Sequence, residues 1–306
     1  MRSFLGRLLL ISFFLASVTW LSHAKESGGF TTNADEDAVG EDCARHFNVS
    51  YHDMRVFHAQ EDRTISKASI SKLHVYGLRN GGIQVQGWDR DDIFIRACKA
   101  AAAHDQSEAK PLLDAMKLEV QGGEVTVSGF EHNRAWVHLL VRVPKQIAMQ
   151  FEAHNGPLSL RGIAAQSLEA NATNGPVSLK DCTGKINIEV QNGPVSLARS
   201  SGDIHLRAQN GPMEVELNED GWKGEGLEAS TRNGPLSLKI PAGYNSGVEV
   251  RSDGHSPFSC RMDACADADK DFDDNSRVVR FGSGSPLVRL STVNGPVTIR
   301  KAMARF

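Results

Sequence analysis

Beyond its first two dozen residues the chain has no long apolar run, no Cys-x-x-Cys pair and no cluster of lysines or arginines. Each absence removes a class of function. A membrane-crossing helix needs roughly 20 apolar residues, so the bulk of the chain is expected outside the bilayer. The missing Cys-x-x-Cys argues against a zinc site. With 34 Lys and Arg against 37 Asp and Glu and no basic cluster, neither nucleic acid nor an anionic membrane surface is the expected partner. Gly-x-Ser-x-Gly, His-Glu-x-x-His and a phosphate-cradling glycine loop are also absent. The 11 histidines show no metal-ligand spacing beyond His52 and His58, and no cofactor is implied.

What stands at the start reads as a secretory signal over residues 1–24. Arg2 and Arg7 precede an apolar stretch from Leu8 to Leu21, too short to span a bilayer, and Ser22-His23-Ala24 offers small residues to a signal peptidase. No lipobox-type cysteine sits at that point. The expected location is therefore exported, either periplasmic or at the cell surface, where disulfides persist. Of the five cysteines, Cys260 and Cys265 are the best local pair and Cys43 with Cys98 the second candidate, which leaves one over. Residues 25–45 are polar and acidic, a flexible leader before a single β-repeat domain over 46–306.

The repeat carries the main signal. Asn-Gly-Pro occurs six times, each copy followed by an apolar-polar-apolar triplet: Asn155-Gly156-Pro157, Asn174-Gly175-Pro176, Asn192-Gly193-Pro194, Asn210-Gly211-Pro212, Asn233-Gly234-Pro235 and Asn294-Gly295-Pro296. Successive asparagines lie 19, 18, 18, 23 and 61 residues apart, which sets a unit of about 18 residues and makes the last interval long enough for three units and a loop. Degenerate copies precede the series at Asn80-Gly81-Gly82 and Gly122-Gly123.

Between copies lie further alternating runs such as Ile186-Asn187-Ile188-Glu189-Val190. Period-two alternation marks a strand with one buried and one wet face. Each unit is thus two strands and two turns. Asn and Gly accept positive φ, and Pro sets φ near −65° while giving up a ladder donor, so the tripeptide specifies a corner. A unit this small cannot bury its own Val and Leu, but stacked units share a continuous apolar column.

The expected fold is all-β: a parallel β-solenoid with Asn-Gly-Pro corners, in which Asn155, Asn174, Asn192, Asn210 and Asn233 superimpose and bond along the stack. The alternative is an antiparallel β-sandwich, because Asn-Gly also signals hairpins. Proline after the glycine argues against it, since the returning strand would lose its first donor in every hairpin.

Outside the main repeats at 119–306, residues 46–118 read as an N-terminal cap. They include one short helix, marked by Leu112, Leu113 and Met116 at helical spacing. Residues 258–275 read as an irregular insertion and a solvated acidic loop. Its aspartates imitate a calcium loop, but the glycine and glutamate of an EF-hand are missing.

Acids on the repeat strands (Glu169, Glu189, Glu214, Glu216, Glu228, Glu249) occur singly, and the outward position of the main triplet is mostly Ser or Thr. Catalysis is not expected. At the Asn-Gly-Pro-Val-Ser-Leu repeats and the closing run from Val288 to Val297, the chain resembles a bacterial envelope family of β-strand repeat proteins labelled "putative adhesin" or domain of unknown function. The resemblance, from about Ile70 to the end, implies an exported β-solenoid with an adhesive or scaffolding role. It brings no catalytic residues. The implied partner is an envelope glycan or protein, or a second copy. The alternatives are a β-helical carbohydrate-active enzyme and a periplasmic sensor or assembly factor.

Overall fold

The structure, a computed structural model, describes residues 30–32, 43, 47–49, 51–129, 133–217, 219–253 and 256–302. The signal expected over residues 1–24 lies outside the described residues, as does most of the expected leader. Two long sheets of 12 and 11 strands enclose one apolar interior. Each coil gives a long strand to the first sheet, turns at Asn-Gly-Pro, and gives a short strand to the second. Thr183–Asn192 with Val195–Ala198 is one coil, and Ser201–Asn210 with Met213–Glu216 is the next.

Equivalent strands pair in parallel and in register, Ile188 beside Leu206 and Val195 beside Met213. Neighbours joined by hairpins would run antiparallel, so this pairing excludes the sandwich. The fold is a parallel β-solenoid with a short helix at Gln106–Ala115. Alternation turns one side chain in two inward, and the register stacks them. Val75, Phe151, Ala170, Ile188, Leu206, Ala229, Leu290 and Val250 form one buried column across eight long strands. Burying each Val, Leu or Ile side chain contributes about 1.5–3 kcal/mol, and no single coil could do so alone.

The first degenerate copy is a true coil: Ile83–Gly87 pairs in parallel with Leu158–Arg161, and Asn80 bridges to Asn155. The second is not. Gly122 and Gly123, at φ 58° and 92°, turn an antiparallel hairpin between Lys117–Gln121 and Glu124–Ser128.

The 61-residue interval also departs from three sequential units. After Leu236–Ile240 the chain runs ahead to lay down Ser246–Asp253 and Phe258–Arg261, then returns. The last coil, Ser283–Asn294 with Val297–Lys301, is inserted between them and the preceding coil. Nor is 258–275 a loop. Phe258–Arg261 extends the short-strand sheet, Asp263–Cys265 is a single 3-10 turn, and Asp269–Phe272 pairs antiparallel with Ser276–Phe281. The aspartates hid that strand because every residue from Asp269 to Phe272 faces solvent.

Antiparallel strands close the long-strand sheet at both ends, and close the short-strand sheet at its N-terminal end through Asp92–Ala103 and Arg55–Ser66. The helix Gln106–Ala115 packs Ala109 against Ala101 and Ala103. It opens on a reciprocal cap: Asp105 Oδ1 accepts from the Glu108 amide at 3.0 Å, and Glu108 Oε2 accepts from the His104 amide at 3.0 Å.

Candidate functional site

The six Asn-Gly-Pro corners line up along one edge of the stack. Asn174 donates its side-chain amide to Asn155 Oδ1 at 2.9 Å, Asn192 to Asn174 at 3.0 Å, Asn210 to Asn192 at 2.9 Å, and Asn233 to Asn210 at 2.9 Å. Asn294 extends the ladder onto Asn233. The backbone ladder runs through the corner as well: the Gly193 amide donates to the Asn210 carbonyl and the Val195 amide to the Pro212 carbonyl, both at 2.9 Å. Gly193 sits at φ 141°, and a Cβ there would lie 2.2 Å from the Gly175 carbonyl oxygen. Both conformation and close approach therefore require glycine. Buried Thr231 and Thr292 donate to the carbonyls of Gly211 and Gly234, one coil back at the same corner. These residues are scaffold, and they present no reactive group.

The opposite turn is tied differently. Asp181 and Arg199 both have positive φ and meet along the stack in a bidentate pair at 2.7 and 2.6 Å. The Arg199 hydrogen bonds hold the Asp181 carboxyl below its ordinary range. Beside them Cys182 is a buried free thiol whose pKa burial pushes up to about 11. Cys43 is bonded to Cys98 and Cys260 to Cys265, with Cα atoms 5.4 and 6.0 Å apart.

Two outer faces carry the polar side chains. On the short-strand sheet, Gln84, Ser159, Ser178 and Ser196 form one row across adjacent strands, and Arg142, Gln86, Arg161 and Lys180 form the next. A shallow groove of about 240 Å³ lies over Gln84, Gln86, Ser159, Ser178, Arg161 and Lys180, with Pro157 and Pro176 along its side. Arg142, beside Gln86 in the same row but outside the groove lining, packs against Trp88, 5.7 Å from the ring. Its Nε is buried with no hydrogen-bond partner among the described residues. Burial, then the charges of Arg96 and Arg90, lower its pKa. No row of cations was visible in the linear sequence, because Arg142, Arg161 and Lys180 lie 19 residues apart. Aligning the residue that follows each triplet would have found the last two.

On the long-strand sheet a second groove, of about 310 Å³, is lined by His205, Glu228, Glu249, Arg251 and Arg289 among others. The register places Arg289 between Glu228 and Glu249. Two acids expected to stand apart therefore line one groove. His205 bridges Asp203 at 3.0 Å and Glu228 at 3.3 Å, and Arg280 holds Glu249 at 2.7 Å. Among the described residues no three of His, Cys, Asp and Glu gather to hold a metal ion.

The model of the family described as Toastrack DUF4097 matches residues 72–300. That span opens on Lys72, where the first parallel long strand begins, and ends within the closing strand Val297–Lys301. No curated protein matches the chain. Among solved structures, a "putative cell adhesion protein" from Clostridium sporogenes ATCC 15579 aligns at 11% identity over 80% of this chain and 100% of its own, with a TM-score of 0.34. A "putative adhesin" from Bacteroides fragilis NCTC 9343 aligns at 11% identity over 80% of this chain and 97% of its own, also at 0.34. Likeness at that level does not say what this chain binds.

Proposed function

The chain belongs to the Toastrack DUF4097 family, and from that premise we propose that it is an exported, non-enzymatic protein of the bacterial envelope that acts as a rigid adhesive or scaffolding surface. One observation carries this reading. The Asn-Gly-Pro coils stack in register along an amide ladder, so two broad polar faces are held in place. A surface of preset hydroxyls, amides and charges suits binding, because little ordering remains to be lost on contact. In this reading residues 1–24 are a cleaved signal, 25–45 a leader, and 46–118 a cap on a repeat domain that runs to 306. The partner is an envelope glycan or protein, or a second copy. No helix among the described residues is long and apolar enough to cross a membrane.

A glycan array together with cross-linking of the protein in envelope extracts tests the reading. Specific glycan signals or cross-links to another envelope component are the expected result. Self-cross-links alone, with a silent array, would replace adhesion by a purely structural role.

The groove over Glu228 and Glu249 favours a second reading, a carbohydrate-active enzyme. Two strand spacings put these residues about 10 Å apart along the sheet, at the upper end of the separation used by inverting hydrolases. Arg280 holds Glu249 at 2.7 Å and Arg289 lies 4.0 Å from Glu228, so neither carboxyl stands alone over the groove, and we rank this reading second. A periplasmic sensor or assembly factor ranks third, and a stable complex recovered from envelope extracts would support it.

A further inference from the structure

We infer that Asn294 is a self-modification site, whose side-chain amide is displaced by the Gly295 nitrogen and which loosens the last coil once converted, while the stack holds the other five corners inert. Asn-Gly pairs are open to this chemistry because glycine puts no side chain in the way of its own nitrogen. The chain carries the pair at Asn80 and at all six corners. All six corner asparagines are exposed, so access of water does not separate them. Hydrogen bonding does.

Gly156, Gly175, Gly193, Gly211 and Gly234 each donate their N–H to the Asn carbonyl of the neighbouring coil at 2.9 Å. Gly81 does the same to Asn155 at 3.2 Å. Gly295 instead donates to a hydroxyl, Ser256 Oγ, at 3.2 Å. The strand beyond it, Ser246–Asp253, is followed in sequence by Gly254-His255-Ser256-Pro257, and no seventh Asn-Gly-Pro supplies a corner carbonyl. The side chains differ in the same sense. Asn174, Asn192, Asn210 and Asn233 each donate to one neighbour and accept from another, whereas Asn294 enters the ladder through one bond, to Asn233. Asn155 also has a single ladder bond, but its Gly156 nitrogen is held by the backbone, which makes it the internal control.

Water is the only co-reactant. The Gly295 nitrogen gives its proton to a solvent base and bonds to Asn294 Cγ. The Cγ–Nδ2 bond then breaks, and Nδ2 takes a proton from solvent and leaves as ammonia. Water opens the resulting cyclic imide at either carbonyl, which yields aspartate or isoaspartate. Both products remove the amide donor to Asn233 Oδ1 and bring in a negative charge. Isoaspartate also lengthens the backbone by one methylene at the corner that sets the register of Val297–Lys301. The coil so loosened is the one that holds Ser246–Asp253 and Phe258–Arg261.

The full chain is incubated in mildly alkaline buffer, folded and in denaturant, and each Asn-Gly peptide is followed by mass spectrometry. In the folded chain Asn294 should convert at least about tenfold faster than Asn155 or Asn192, the worth of one hydrogen bond. In denaturant the corners should react at similar rates. Ser256→Ala removes the acceptor and should speed conversion at Asn294 alone, with Tm showing that the fold is kept. Asn294→Asp, which stands in for the product, should open residues 241–282 to limited proteolysis. Equal folded-state rates at Asn294 and Asn192 would overturn the proposal, as would an Asn294 that reacts only in denaturant. An unaltered rate in Ser256→Ala would overturn the hydrogen-bond account, and full protease resistance of Asn294→Asp would overturn the loosening of the coil.

Discussion

Asn294 donates its side-chain amide to Asn233 Oδ1 at 2.9 Å, although 61 residues separate them along the chain. The coil that carries Asn294 is laid down last and occupies the position next to the Asn233 coil, with Ser246–Asp253 on its other side. Chain order and spatial order part company there, and the closing segment becomes the wedge that joins the terminal strands to the stack.

Removing residues 283–306 should therefore do more than shorten the solenoid. Ser246–Asp253 and Phe258–Arg261 would lose their parallel neighbours. Limited proteolysis should then cut throughout 241–282, whereas the intact chain resists there. A truncated protein still protected over Ser246–Arg261 would contradict this topology.

The corner glycine and the ladder asparagine should differ in cost. Asn192→Ala removes two amide bonds, each worth about 1 kcal/mol, and denaturant unfolding should register about 1–2 kcal/mol. Gly193→Ala forces a Cβ against the Gly175 carbonyl oxygen at a φ that alanine disfavours. It should cost at least about 3 kcal/mol or prevent folding. Equal and small losses for the two variants would refute the close packing of the corner.

Cys182 should stay unmodified by thiol reagents in the native protein and react only on unfolding. Burial raises its folded pKa to about 11 from a reference of 9.0. The folded state therefore holds the proton more tightly, and the associated stability is complete below pH 9 and lost as pH rises toward 11. By linkage the loss amounts to about 2–3 kcal/mol. Chemical denaturation at pH 8 and pH 11 should show the drop in the wild type and a smaller one in Cys182→Ser, because serine does not titrate and Ser200 already fills the equivalent site in the next coil.

Asp181 should act at the other end of the pH scale. The Arg199 hydrogen bonds lower its folded pKa, so this contribution is present above the unfolded carboxyl pKa and lost as pH falls through the folded one. With its side chain 40% exposed, the effect should stay within about 1 kcal/mol. Asp181→Asn should flatten the acid limb of a stability profile by that amount, and an unchanged profile would show that the pair contributes nothing.

If the long-strand groove is not catalytic, reducing-end assays on acidic and neutral polysaccharides should show no release by the wild type or by Glu228→Gln and Glu249→Gln. Release by the wild type that disappears in either variant would establish a hydrolase.

Much of the architecture could be read without coordinates. Six identical corners at a spacing of about 18 residues, with alternation between them, leave stacking as the only way to bury Val195, Leu197, Ile186 and Ile188 together. The strand Asp269–Phe272 escaped that reading because it has no inward face to alternate. The Gly122-Gly123 turn was misread because a degenerate corner and a hairpin use the same left-handed glycines.

By itself the sequence determined the coil, its corners and the inward column, because each depends on local φ preferences and on a hydrophobic period that one unit already contains. Tertiary structure alone decided the displaced last coil, the closure of the ends, the convergence of Glu228 with Glu249, and the row of Arg142, Arg161 and Lys180. Those depend on which strands lie 4.8 Å apart, a distance set by the register of the whole stack and carried by no single segment.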